Sequence, residues 1–358
     1  MRMLPFLLLG LFFLESAQAV ENLGLSPLPV PMDNPQSAEK IALGRRLLND
    51  RRFSGDGTIS CASCHLPDKA FTDGLPVARG IAGQTGTRNA PTVVNAAFYT
   101  SLFLDGRAPS LEKQALGPFV NPIEHSLKNH QQIVDIVSQD AGYRKQFRNV
   151  FGIPGKAITI DHVVKAIASF ERTLIAGDSP FDRYYFGRDR SALSDSAARG
   201  LRIFRRKGNC SNCHEISWNN ALFTDNQFYN IGTGFQRLQP VLDEFLQAVR
   251  DGRDPGEFEL TAWQRSELGR FNVTRVIADI GKFRTATLRN IARTGPYMHD
   301  GSIETLEEVV EYYDQGGEKN RFLDAAIFPL HLTDQEKQDL VAFLRSLTSP
   351  QYQTSERP

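Results

Sequence analysis

The sequence predicts a mainly α-helical, loop-rich protein of two domains. Three observations carry that prediction. Apolar residues recur at helical spacing in several stretches, and no long alternating run marks a large sheet. The 28 Gly and 19 Pro supply the turn chemistry of a loop-rich chain. The 358 residues contain four Cys, split between two motifs of the same pattern that begin at Cys61 and Cys210, far enough apart for one in each domain.

The elements follow in chain order. Arg2, an apolar run from Leu4 to Leu14 and then Glu15-Ser16-Ala17-Gln18-Ala19 have the charged start, short apolar core and small-residue exit of a secretory signal peptide over 1–19. That run is too short for a ~30 Å hydrocarbon core, and no other stretch reaches 18 apolar residues, so no membrane span is expected. A mature chain from about Val20 in a bacterial periplasm follows from the exit signal. Amphipathic segments precede each Cys motif, at 42–48 and 197–204, with Ser194-Asp195 as N-cap of the second. The stretch 159–174 places Ile160, Val163, Val164, Ile167 and Phe170 on one stripe. Gly177, Ser179-Pro180 and Gly187 make 176–193 the expected linker. Helices are also expected at 306–313 and, after a Thr333-Asp334 cap, at 333–347. Trp218 and Trp263 read as packing residues. His125, His130, His162 and His331 show no ligand-pair spacing.

The motifs are Cys61-Ala62-Ser63-Cys64-His65 and Cys210-Ser211-Asn212-Cys213-His214. Both are C-x-x-C-H, the pattern of c-type haem attachment. Two thiols add across the two vinyl groups of one haem, and the following His supplies an imidazole nitrogen to the iron. A four-Cys zinc site is the competing reading, but it gives no reason for a His after each pair. Lys and Arg together number 41, as do Asp and Glu. A formal net charge of zero argues against a nucleic-acid partner, which needs a basic surplus.

The chain resembles the bacterial dihaem cytochrome c peroxidase / MauG family from about 42 to 347. The resemblance rests on the two haem motifs and on further blocks: Phe53–Ser60, Arg88–Thr92, Asp105–Ala108, Leu111–Ala115, Asn121–Glu124, Thr285–Asn290 and Thr294–Gly301. It implies two cytochrome c-like domains packed face to face, over 20–180 and 181–358, with one covalent haem each. His65 would hold a peroxide-reactive haem and His214 an electron-transfer haem.

In the family the second haem's distal ligand lies 17 residues beyond the proline of the T-x-P-Y block, which gives Tyr313 here. Typical peroxidases have Met at this position and MauG has Tyr. A hard tyrosinate favours ferric iron, whereas a thioether favours ferrous. Met298 is the alternative ligand; Tyr297 and His299 rank lower. By motif match Glu124 is the acid–base residue of peroxide cleavage and Gln114 its pocket partner. The loop 79–86 lacks the His that blocks the reactive iron in some family members, so that iron is expected to be open in the diferric state. Leu104 replaces the usual Trp before Asp105-Gly106-Arg107, which removes a hopping site between the haems and leaves direct tunnelling, or hopping through Phe103 or Tyr99, as substitutes. A calcium ion between the domains would match Asn89 with backbone oxygens of Thr294 and Pro296. The implied partners are hydrogen peroxide and either a small cytochrome c or copper-protein electron donor, or a protein substrate. Three readings stand: peroxidase, MauG-like oxidase of a partner, and dihaem electron carrier without chemistry of its own.

Overall fold

The computed structural model describes residues 23–353; the expected signal peptide lies outside them. Twelve α-helices and one two-residue strand pair make up its regular structure apart from short 3-10 turns. In order they are α1 Ala38–Leu48, α2 Leu111–Val120, α3 Gln131–Gln139, α4 Ala141–Phe151, α5 Ile160–Glu171, α6 Pro180–Tyr185, α7 Asp195–Arg205, α8 Leu242–Arg250, α9 Ala262–Glu267, α10 Phe271–Thr274, α11 Leu306–Asp314 and α12 Asp334–Arg345. Strands β1 Phe228–Tyr229 and β2 Phe283–Arg284 pair antiparallel. The mainly α, loop-rich prediction holds.

Each half is built on one helix crossing, α1 with α5 and α7 with α12. Both crossings need a glycine. A Cβ at Gly44 would collide with the carbonyl oxygen of Ala166, and one at Gly200 with that of Asp339. The helices start where the sequence caps them. Ser37 and Ser194 accept from the backbone N–H groups of Lys40 and Ala197, and Thr159 and Thr333 form capping boxes. The apolar stripe of α5 enters a core with Leu43, Phe53, Phe119, Tyr143 and Phe147. The stripe of α12 meets Leu201, Phe204, Phe223 and Val310.

The duplication extends beyond these helices. Asn95 N–H donates to Leu174 O at 2.8 Å, and Asn290 N–H donates to Leu347 O at 3.0 Å. Each Asn opens a segment with an isolated bridge, Leu102 with Ala108 and Tyr297 with Ile303. Each segment then passes through a hydroxyl N-cap, Ser110 or Thr305, into α2 or α11. Residues 95–118 and 290–313 therefore correspond position by position, with Asp105-Gly106 matching Asp300-Gly301.

Two expectations change and one feature is new. The 176–193 stretch is not an open linker: Ser179 caps α6, and Phe181 is fully buried in the second core. The second half carries a third cluster, with Phe235, Phe245 and Phe271, on an insertion that holds α8, α9 and α10. Trp218 does not pack, being 88% exposed; Trp263 is half-exposed beneath the Arg237 guanidinium at 4.7 Å.

The halves meet through part-buried polar contacts. Arg88 bonds Asp105 at 2.8 Å and Ser266 Oγ at 3.1 Å. Arg270 donates to the carbonyls of Asp105 and Gly106. Thr287 N–H donates to Tyr99 Oη at 2.9 Å. Among the described residues no helix is long and apolar enough to cross a membrane.

Candidate active site: two cysteine–histidine centres

Both motifs fold alike. Each forms a short 3-10 turn, Cys61–Ser63 or Cys210–Asn212, that presents the following His. His65 N–H donates to Cys61 O at 3.1 Å and His214 N–H to Cys210 O at 2.9 Å. His65 Nδ1 lies 3.0 Å from Phe71 O, and His214 Nδ1 lies 2.9 Å from Phe223 O. A carbonyl can only accept, so Nδ1 carries the proton in both rings and Nε2 keeps its lone pair. Burial lowers both imidazole pKa values and keeps the rings neutral. These are the traits of a metal-ligating His oriented by a carbonyl behind it.

The sequence reading did not include these accepting carbonyls. Phe71 and Phe223 both sit at positive φ, 58° and 53°. They head the same tripeptide, Phe71-Thr72-Asp73 and Phe223-Thr224-Asp225. A repeated tripeptide after each haem motif was the available signal.

The zinc reading fails on geometry. Cys61 packs against the first core and Cys210 against the second, so the four thiols do not converge. Burial pushes the thiols of Cys61 and Cys210 up to about 12, and those of Cys64 and Cys213 up to about 11.

At the second centre the motif opens on a mostly apolar cavity of about 270 Å³, lined among others by Cys213, His214, Leu288, Met298, Tyr313 and Leu344. A mostly apolar cavity with the His214 imidazole facing it fits a haem. All four ligand candidates line it. Two are engaged elsewhere: Tyr297 Oη donates to Ile291 O at 3.1 Å, and His299 Nε2 bonds Glu267 Oε2 at 2.7 Å. Tyr313 and Met298 remain. Burial raises the Tyr313 phenol pKa, with no hydrogen bond contributing. Tyr312, its neighbour, instead donates to Ile231 O at 2.8 Å.

At the first centre Gln114 lies half-buried on α2, and Glu124 follows the end of that helix. Asn121 Nδ2 donates to Glu124 Oε1 at 2.6 Å. Burial raises the Glu124 pKa against the opposing pull of Arg107 and Asn121. The His-free loop lies directly on this segment: Ile81 N–H donates to Ile123 O at 2.9 Å and Glu124 O at 3.1 Å. The register of the duplication puts Pro118 where the second half has Tyr313. Proline has no side-chain donor atom for a metal. Pro118 was not singled out in the sequence.

Leu104 lines the second cavity, and its carbonyl accepts from Arg284 N–H at 2.8 Å. The first half thus reaches the second centre at the position where the family places its Trp. Tyr99 lies under the Arg284 guanidinium at 3.5 Å, and Phe103 under that of Arg107 at 3.5 Å.

The calcium residues come together in part. Asn89 N–H donates to His299 O at 2.8 Å, so Asn89 adjoins the block holding Thr294 and Pro296. Its Nδ2 donates to Leu75 O at 2.8 Å, which leaves Oδ1 as the side-chain atom to offer a cation. Nearby Glu267, His299 and Asp300 have ligand spacing, but Arg237 already bonds Glu267 at 2.7 Å and Asp300 at 2.8 Å.

Comparison with known proteins agrees with this geometry. Residues 38–190 match the family described as di-haem cytochrome c peroxidase. The chain is 38% identical over 333 residues to the cytochrome-c peroxidase IdrP1 of Pseudomonas sp. (strain SCT), covering 90% of this chain and 84% of that protein. It is 38% identical over 320 residues to the methylamine utilization protein MauG of Methylorubrum extorquens, covering 89% and 81%. A crystal structure of a MauG-like protein associated with microbial copper homeostasis superimposes with TM-score 0.75 at 33% identity, over 92% of this chain and 96% of that one. The fold and paired centres define a dihaem c-type oxidoreductase with peroxidase activity. The chain belongs to the dihaem cytochrome c peroxidase / MauG family.

Proposed function

We propose that this is a periplasmic enzyme with two covalently attached c-type haems, which reacts with hydrogen peroxide at the Cys61/Cys64/His65 centre and passes electrons through the Cys210/Cys213/His214 centre. When bound, the haems supply redox-active iron for peroxide cleavage and electron transfer. The chain's own residues set the division of labour. His65 and His214 each offer Nε2 from a ring locked by a backbone carbonyl. Tyr313 closes the second centre's far side, while Pro118 offers the first centre no ligand atom and leaves room for peroxide. Glu124 takes a proton from the near peroxide oxygen and returns it to the leaving one. Gln114 holds the peroxide beside it. Two electrons and two protons then balance the reduction of one peroxide to two waters, the electrons coming from a small cytochrome c or copper protein. The Pro118/Tyr313 contrast inside one duplicated frame carries this reading.

A MauG-like use of the same equivalents, to oxidise a partner protein, is favoured by Tyr313 and by the His-free loop 79–86. Adding one equivalent of peroxide to the diferric holoprotein, with no reductant, tests the open site. The expected result is immediate loss of the resting visible and EPR spectra. No change until one electron is supplied would mean a gated site and a conventional peroxidase. Tyr313→Phe is expected to change the second haem's spectrum; an unchanged spectrum would move the ligand to Met298.

A further inference from the structure

Glu171 is a buried carboxyl that the reaction above does not use. It ends α5, is 6% exposed, and its Oε2 has no hydrogen-bond partner. An unpartnered buried carboxylate is costly and calls for an explanation.

The duplication says what it faces. Phe170-Glu171-Arg172-Thr173-Leu174 overlies Phe343-Leu344-Arg345-Ser346-Leu347. The register is fixed twice, by the Asn95–Leu174 and Asn290–Leu347 hydrogen bonds and by the Gly44–Ala166 and Gly200–Asp339 crossings. Leu344 lines the cavity of the second centre. Glu171 therefore takes, in the first half, the place of a residue that faces the haem cavity. Cys61 of the first motif lies within electrostatic reach of Glu171.

We propose that Glu171 faces the haem held at Cys61, Cys64 and His65 and balances its charge. The carboxyl is neutral when that iron is reduced and ionised when it is oxidised. Reduction of the iron by one electron draws one proton from solvent onto Glu171, and reoxidation releases it. The inference rests on the proposed attachment of a haem to this motif.

The groups around Glu171 agree with a neutral acid poised to ionise. On its own helix Arg172 pulls toward ionisation, but its guanidinium is held by Glu112 of α2 at 2.7 Å. From α1, the Lys40 ammonium is turned onto Asn34 Oδ1 and Pro35 O. Lys165 of α5 is paired with Asp33 and Asp161. Glu171 and Glu124 both act electrostatically on the Cys61 thiol. Desolvation outweighs Arg172, and Glu112 adds to it, pushing Glu171 up to about 8.

The test is a spectroelectrochemical titration of both haems in the holoprotein between about pH 6 and pH 10, for wild type, Glu171→Gln and Glu171→Leu. The leucine variant installs the second half's own solution, and Glu124 is present in all three. The wild-type first haem should fall in potential as pH rises, by about 59 mV for each tenfold difference between the carboxyl's ionisation constants in the two iron states. Both variants should lose that dependence, while the second haem is unchanged throughout. A pH slope that survives in both variants, or is missing in wild type, overturns the proposal. A pyridine haemochrome assay on the same samples separates this failure from a deeper one. Two haems per chain with an unaltered slope sink the Glu171 role alone; a protein without haem at the first motif sinks the attachment as well.

Discussion

The two halves share a frame and differ at the positions that touch the reacting centres. Both have a glycine-gated helix crossing, a C-x-x-C-H turn, a Phe carbonyl behind the His, and an Asn-led segment entering a capped helix. Within that frame Pro118 stands against Tyr313, Gln114 against Val309, Leu104 against His299, and Glu171 against Leu344. At the positions compared, the first half has a proline, which offers no ligand atom, and the polar Gln114 and Glu171. The second has a phenol and aliphatic side chains around its cavity. The frame holds two equivalent cysteine–histidine cradles, and in the proposed function these few differences make one centre reactive and the other a conductor.

The sharpest way to break that comparison is to remove each proximal ligand in turn. His65→Ala should abolish peroxide turnover. His214→Ala should leave one reaction with peroxide but stop steady turnover by an external donor, as read by stopped-flow and donor oxidation. Equal behaviour of the two variants would erase the division of labour.

A smaller effect follows at Glu124. Glu124→Gln should slow peroxide cleavage by about 10²-fold or more, the low end of what general acid–base help contributes. The carboxylate form accepts the proton, and burial holds its pKa above the ordinary value. Wild-type rate should therefore rise with pH through that raised pKa and fall below it, and the Gln variant should lose this limb. A full-rate variant with the same pH profile would remove Glu124 from the mechanism.

The smallest effect tests the shared frame itself. Gly44→Ala and Gly200→Ala each force a Cβ onto a carbonyl oxygen and should each cost about 1–3 kcal/mol of stability, read as lowered thermal midpoints of the holoprotein. If either variant melts like wild type, the two crossings are not equivalent.

Much of this was legible in the sequence, but unevenly. The haem motifs, the caps at Ser194 and Thr333, and the stripe from Ile160 to Phe170 carry strong local patterns, and the structure has them all. The duplicated segments from Asn95 and Asn290 were equally present, yet they hide because the insertion with Phe235, Phe245 and Phe271 changes their distance from the haem motifs. Helix α2 was obscured by Gly117 and Pro118 in its last turns. The exposure of Trp218 has no sequence signal, since nothing local tells a surface indole from a core one. Glu124 and Gln114 look like ordinary surface residues without the family blocks. Pro118 acquires meaning only when overlaid on Tyr313.

The central claim is an asymmetric pair of haems in the resting state, and EPR of the diferric holoprotein tests it most directly. The account predicts one high-spin ferric signal from the open first haem and one low-spin signal from a second haem ligated on both sides. Two low-spin signals would contradict it, because the Pro118 side would then carry a ligand that the structure does not provide.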